Sequence, residues 1–303
     1  MARFKEADMQ ESGAGLSAGN GASTDIADRS IGAIIAGTRN LSAEQVEKIL
    51  SYQREKGIRF GEAAVALGFA SNDDVMFALA QQFHYPYAPE ERQRTSPELV
   101  ALNQPFGVQA ESFRAIRSQL TMRLFNEGQE RRAIAVVSPE SKDGKTFFAA
   151  NLAVTLAQLG GRTLLVDADM RGPRQHEVFG LENKAGLSGI LSGRAETQVI
   201  QQVVGVPSLF VLPVGTKPPN PLELVERPAF GLLLRELMSK FDHVIVDTPA
   251  AMYGSDSAVI AARCGAALVV ARQDRSKVAA LQDLVADLSD SPARIAGVVY
   301  NTF

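Results

Sequence analysis

The sequence predicts an α/β fold, a parallel sheet flanked by helices and preceded by a small all-α repeat domain, on three observations. From about Val108 onward, short β-branched and apolar runs alternate with helical patterns. One of those runs leads through a Gly-Lys-Thr turn into a helix. Ahead of them, Ser30 to Gln82 repeats itself with a shift of 29 residues.

Composition permits this reading and excludes others. A chain of 303 residues with 46% hydrophobic content can bury a full core, and its length suggests about two domains. With 31 basic and 34 acidic side chains the net charge is −3, so nothing global argues for wrapping nucleic acid or coating an anionic membrane. The lone cysteine, Cys264, excludes an internal disulfide, fits a reducing compartment and reads as a packed small residue. The first 30 residues lack the apolar stretch of a signal peptide, and no run approaches the roughly 18 apolar residues of a spanning helix. The expected compartment is the cytoplasm, with any membrane role reached through a partner.

Residues 1–28 mix Gly, Ser and charge without periodicity and read as a disordered lead. Residues 29–88 form the repeat domain. Ile31-Gly32, Leu41-Ser42, Glu44, Val46, Leu50 and Gln53 recur as Phe60-Gly61, Ala70-Ser71, Asp73, Val75, Leu79 and Gln82. Ser42 and Ser71 are N-caps, so each copy is a short helix, a turn and a longer helix. Tyr85-Pro86-Tyr87-Ala88-Pro89 breaks helical structure, and residues 89–107, with the charged stretch Glu90 to Arg94 and Pro97, read as a linker. Residues 108–303 are the second domain. Its expected strands are Ala133–Val137, Thr163–Val166, Leu209–Val211, His243–Val246, Ala266–Val270 and Ile295–Val299.

After the first of these strands comes Ser138-Pro139-Glu140-Ser141-Lys142-Asp143-Gly144-Lys145-Thr146, then a helix from Phe147. Strand, loop and helix are the context of a P-loop, in which backbone N–H groups face phosphates, a lysine neutralises them and a hydroxyl reaches Mg²⁺. Pro139 stands where the first glycine is expected. Two further strands end in carboxylates: Val166-Asp167-Ala168-Asp169-Met170-Arg171 and Val246-Asp247-Thr248-Pro249. Ligands of parallel sheets bind beyond the carboxyl ends of the strands, so the three clusters converge on one crevice, fit for ATP and Mg²⁺.

This trio resembles the Walker A, A′ and B set of the bacterial tyrosine kinases, a P-loop NTPase-type family, and more narrowly the exopolysaccharide chain-length-determinant branch. Glu111-x-x-Arg114-x-x-Arg117 matches the family motif for ring-like self-association, and Lys217-Pro218-Pro219-Asn220-Pro221 matches its Pro-rich stretch. The resemblance implies ATP and Mg²⁺ as cofactors, a homo-oligomer, and a membrane chain-length-determinant protein as the partner that recruits the chain to the inner membrane. The implied nucleotide contacts are Asp143, Gly144, Lys145, Thr146, Phe147 and, at the adenine, Asn301. Metal contacts are Thr146, Asp167 and Asp247, and Lys145, Asp167, Asp169 and Arg171 take the catalytic roles. Either Asp167 or Asp169 is the base that activates a tyrosine hydroxyl.

Family members usually end in a tyrosine-rich tail, whereas this sequence ends Val299-Tyr300-Asn301-Thr302-Phe303. The alternative is therefore an ATPase switch of the MinD or ParA type without kinase activity. Glu140, where those proteins usually carry a second lysine, argues against it.

The duplicated segment resembles the MshEN-type N-terminal domain of type II secretion and pilus ATPases, which binds cyclic di-GMP. The residues expected to meet that ligand are Ile31, Gly32, Arg59, Phe60 and Gly61. Ser30 and Arg39 depart from the pattern, standing where Arg and Gly are expected, and a structural docking module is the alternative. His84, His176 and His243 lack metal-ligand spacing.

Overall fold

The computed structural model describes residues 30–82, 96–125, 131–194 and 199–302. The expected lead at 1–28, His84 and the segment from Tyr85 to Arg94 lie outside the described residues.

The duplication folds as two helical pairs. The first copy forms α1 (Ile31–Thr38) and α2 (Ala43–Lys56), and the second forms α3 (Phe60–Ala66) and α4 (Asn72–Gln82). Both copies enter their longer helix through the same reciprocal cap. Ser42 N–H donates to Gln45 Oε1 at 2.9 Å while Gln45 N–H donates to Ser42 Oγ at 3.3 Å. Twenty-nine residues on, Ser71 N–H donates to Asp74 Oδ2 at 2.6 Å and Asp74 N–H to Ser71 Oγ at 3.2 Å. Ile35, Ile49, Ala63, Ala64 and Ala78, all fully buried, form a core of their own. Small residues set its closeness, for a Cβ on Gly61 would lie 2.8 Å from Val75 Cγ1.

The larger unit is a seven-stranded sheet with a buried helix behind its centre. Its elements in chain order are α5 (Val100–Asn103), α6 (Val108–Leu124), β1 (Ala133–Val137), α7 (Lys145–Ala157), β2 (Thr163–Asp167), α8 (Gln175–Phe179), α9 (Leu187–Leu191), β3 (Gln201–Gln202) and β4 (Leu209–Leu212). Then follow α10 (Pro221–Glu226), α11 (Pro228–Lys240), β5 (His243–Asp247), α12 (Asp256–Cys264), β6 (Gly265–Arg272), α13 (Val278–Ser289) and β7 (Arg294–Asn301). Pro221 and Pro228 each occupy a first helical position, where a missing N–H costs nothing. The strand order is β3-β4-β2-β5-β1-β6-β7, parallel throughout except for β3, which pairs antiparallel with β4.

Successive side chains of a strand point to opposite faces, and the two cores follow that period. Ile134, Val136, Leu165 and Ile245 pack on the α6–α7 side, whereas Ala135, Val137, Leu164, Val166, Val244 and Val246 pack on the α11–α12 side. Buried on both faces, these strands are read easily as apolar runs.

Part of the expected linker belongs to this unit. Leu99 and Ala101 are fully buried in the α7 core, and Asn151, itself fully buried, accepts from Ala101 N–H at 2.9 Å and donates to Glu98 O at 2.8 Å. The buried amide of α7 makes residues 96–103 part of the fold despite their turn-like composition. The sheet also starts one strand earlier at its far edge than expected, because β3 is two glutamines that pair only through tertiary contact.

Candidate functional site

The centre of the sheet brings the three motifs together. β5 lies between β1 and β2, with Val136 opposite Asp247 and Asp167 opposite Asp247 in register. Thus the P-loop and both carboxylate motifs leave neighbouring strands at the same end.

The P-loop is shaped by its own side chains. Asp143 Oδ2 accepts from Glu140 N–H at 2.9 Å, Lys142 holds a φ of 68°, and Gly144, with a φ of 101°, starts α7. Asp143 is fully buried, so it builds the loop with its carboxylate and does not line the cavity. Pro139 is tolerated because the loop uses carbonyls at this point. Ser138 O and Pro139 O accept from Ala251 and Met252 N–H, each at 3.0 Å, which ties the P-loop to the turn after β5.

Lys145 is 6% exposed and donates from Nζ to Ser138 Oγ at 3.0 Å. Burial pushes its pKa down, against the opposing pull of Asp247, Asp169 and Asp143. Asp167 and Asp247 are fully buried side by side. Burial, with the neighbouring Asp247 next in weight, raises the Asp167 carboxyl well above its usual range. Burial likewise raises Asp247 to about 6, while Lys145, Thr146 and Gln175 favour its charged form.

The carboxylates have separate environments. Asp167 accepts three backbone N–H groups, from Asp169 at 3.2 Å, Arg174 at 3.1 Å and Gln175 at 3.0 Å, and so pins the loop that follows β2. Asp169 lines the cavity and takes Arg171 N–H and Gly172 N–H on Oδ1 at 3.2 and 2.9 Å. Asp247 Oδ2 accepts from Gln175 Nε2 at 2.8 Å, and the same amide donates to Thr146 O at 3.1 Å. Its other oxygen, Asp247 Oδ1, is buried with no hydrogen-bond partner among the described residues.

A cavity of about 610 Å³ opens above these groups, lined by Lys142, Gly144, Lys145, Thr146, Phe147, Asp169, Arg171, Arg174, Tyr253 and Arg272 among others. A smaller one, about 280 Å³, lies across Phe147 and is lined mainly by apolar groups of α6 and β7 together with Asn301. Asn301 Nδ2 donates to Asp143 O at 3.0 Å, at the mouth between the two. Arg171 does not reach freely into the larger cavity, because Asp256 on α12 grips its guanidinium.

Among the described residues no group of three or more His, Cys, Asp and Glu side chains could hold a metal ion by itself. Mg²⁺ characteristically needs few protein ligands, since phosphates and water complete its shell. The Thr146 hydroxyl and the orphaned oxygen of Asp247 fit that demand. Gln175, Asp256 and Tyr253 were not legible from spacing; only the fold brings them to this end of the sheet.

The other expected residues lie elsewhere. On α6, Glu111 is exposed and pairs with Arg114, which also donates to Pro105 O, while Arg117 Nη1 donates to Thr155 O of α7 at 2.8 Å. In the repeat domain Phe60 packs beside Gly32, Gly61 is buried, and Ile31 borders the core. Arg59 is exposed. Arg39, where glycine is expected, donates from Nε to Asp74 Oδ2 at 2.7 Å and so joins the two copies.

Similarity to known proteins agrees with this geometry. Residues 134–303 match the CobQ/CobB/MinD/ParA nucleotide binding domain. The chain is 35% identical over 204 residues to the putative tyrosine-protein kinase EpsB of Ralstonia nicotianae, covering 67% of this chain and 27% of that protein's length. It is 32% identical over 213 residues to the putative tyrosine-protein kinase CapB of Staphylococcus aureus, covering 69% of this chain and 91% of CapB. The solved kinase domain of the Escherichia coli tyrosine kinase ETK superposes with a TM-score of 0.64 at 30% identity, over 72% of this chain and 88% of that one. The chain therefore spans about a quarter of the EpsB relative, and among the described residues no helix is long and apolar enough to cross a membrane. A nucleotide-binding fold with a P-loop, two buried strand-end carboxylates and these relatives places the chain in the bacterial tyrosine-kinase family of the CobQ/CobB/MinD/ParA nucleotide-binding class.

Proposed function

We propose that the chain is an ATP-dependent protein-tyrosine kinase that regulates exopolysaccharide chain length, polymerisation and export together with a membrane chain-length-determinant partner. The observation that carries the catalytic part is the Gln175 amide joining Thr146 to Asp247 beneath a cavity that also holds Lys145 and Asp169.

Phosphoryl transfer asks mainly for alignment and charge neutralisation. The N-terminus of α7 and the loop amides receive the β- and γ-phosphates, with Lys145 leaving Ser138 to meet them. Thr146 and Asp247 would hold Mg²⁺, directly or through water, and the ion would supply neutralisation of phosphate charge there. Asp167 fixes the loop that carries Asp169 and Arg171. Asp169, at the cavity surface, is the better placed of the two candidate bases to take the proton of an incoming tyrosine hydroxyl. The adenine fits the smaller cavity beside Phe147 and Asn301.

Exposed Glu111 on α6 is the element of the self-association motif open to a second copy, which supports a homo-oligomer. For the repeat domain, cyclic di-GMP binding rests on exposed Arg59, since the neighbouring glycines and Phe60 have packing roles; docking to a partner needs none of these. The MinD-like switch is the weaker reading, because Glu140 occupies the position of the second lysine and its backbone is committed to the loop.

Phosphotyrosine mapping after co-expression with the chain-length-determinant partner tests the proposal. Wild type should yield phosphotyrosine on the chain or the partner and Lys145→Met should abolish it. Phosphate release with no phosphotyrosine in either protein would establish the switch instead.

A further inference from the structure

The kinase reading, on which this inference rests, leaves the acceptor unassigned. Of the chain's five tyrosines, Tyr85 and Tyr87 lie outside the described residues. Tyr52 is on α2 of the repeat domain, beside Lys56. Tyr300, on β7, borders the smaller cavity. Tyr253 is the one that, among the described residues, lines the phosphate cavity with Lys145, Thr146, Asp169 and Arg171.

Its placement is built by the backbone. The 3-10 turn Ala251–Tyr253 is held to the P-loop by the Ala251 and Met252 amides, and Met252 Sδ accepts from Ser141 N–H at 3.4 Å. Gly254 then reverses the chain at a φ of 137°, a conformation side chains rarely adopt. The ring is anchored at its root yet 50% exposed, and its hydroxyl makes no hydrogen bond among the described residues. A buried structural tyrosine would give its hydroxyl a partner. This one is presented to the cavity with the hydroxyl uncommitted.

We propose that Tyr253 is phosphorylated by the site of its own chain. The Tyr253 oxygen attacks the γ-phosphorus, the bond from that phosphorus to the β,γ-bridging oxygen breaks, and ADP leaves with the electron pair. The hydroxyl proton passes to Asp169 and then to water. The product is a phosphate ester inside the cavity that Lys145 lines, where it competes with the nucleotide's own phosphates.

The purified full chain is incubated with Mg²⁺ and ATP, alone and with a glutamate–tyrosine copolymer, and its phosphorylated positions are mapped by tandem mass spectrometry across a hundredfold range of protein concentration. The expected result is labelled copolymer together with phosphate on Tyr253, at a first-order rate unchanged by dilution. The phosphorylated chain should also bind a fluorescent ADP analogue at least fivefold more weakly than the unmodified chain. Labelled copolymer without phosphate on Tyr253, or Tyr253 labelling that slows on dilution, overturns the proposal and leaves the kinase reading intact. Equal ADP affinity of the two forms also overturns it, since the phosphate then lies outside the cavity. Absence of label on both chain and copolymer overturns both readings.

Discussion

Arg171 and Asp256 meet as a two-pronged pair, Nε to Oδ1 at 3.3 Å and Nη2 to Oδ2 at 2.9 Å, which fastens the loop after β2 to the first turn of α12. The partners are unequally exposed, 35% for the Arg171 side chain and 3% for Asp256. Loss of the arginine strands a buried carboxylate, whereas loss of the carboxylate frees an arginine that can turn to water. Arg171→Gln should therefore cost more than Asp256→Asn, about 2 against about 1 kcal/mol by urea unfolding, with a double-mutant coupling near 1 kcal/mol. Equal costs with no coupling would show the contact to be energetically idle.

Asp247→Asn should remove Mg²⁺-dependent nucleotide binding while making the metal-free protein more stable. Its carboxyl, raised from 3.8 to about 6 by burial, is charged at pH 7.5 inside the protein at a cost on the order of 3 kcal/mol that an amide does not bear. For a carboxyl raised in the folded state, stability is fully present below the unfolded value and is lost as pH climbs through the folded one. The melting-temperature gap between variant and wild type should thus be widest at pH 7.5, shrink as pH falls through 6 and close near pH 4. A gap that is constant with pH would mean that Asp247 is not the group responsible.

Gln175→Leu leaves Asp247 Oδ2 and Thr146 O without their shared donor. The expected effect is a roughly tenfold weaker MgADP affinity, corresponding to about 1.4 kcal/mol, with little change when Mg²⁺ is replaced by EDTA. Equal weakening with and without the metal would assign Gln175 to the loop and not to the metal side of the site.

Gly144→Ala strains a backbone at a φ of 101° and sets the new Cβ 2.4 Å from Asn301 Nδ2. The two effects together should cost about 1–3 kcal/mol of stability and displace Asn301 from the Asp143 carbonyl. Asn301→Ala in the same background should recover part of the stability, since it removes the clash but not the strain; thermal melts of the three variants check this.

The sequence announced the sheet because its central strands are buried on both faces and therefore run apolar, and it announced the site through Gly144-Lys145-Thr146, Asp167 and Asp247 because each follows such a strand. It did not announce β3, whose Gln201 and Gln202 carry no strand signal and owe their pairing to β4. Nor did it reveal that Leu99 is core, since Pro97 and the charges before it look like a linker and the deciding partner, Asn151, is about 50 residues away. Gln175 and Asp256 escaped for a related reason. Neither belongs to a spacing pattern, and each acquires its role only when the ends of β2, β5 and α12 are brought together.

The contact between the P-loop and the turn after β5 is made by main-chain groups, Ser138 and Pro139 carbonyls with Ala251 and Met252 amides. The joint itself does not depend on side-chain identity, so positions 139 and 251 can diverge without loosening it, whereas Ser138 and Met252 also hold the loop through their side chains. This accounts for how a loop can forfeit its leading glycine and keep its shape, and it lets a tyrosine be substituted in or out of position 253 over evolutionary time while its root stays fixed. Searches that demand the leading glycine would pass over such loops; a strand followed by Gly-Lys-Thr, with carboxylates closing two later strands, is the more durable signature.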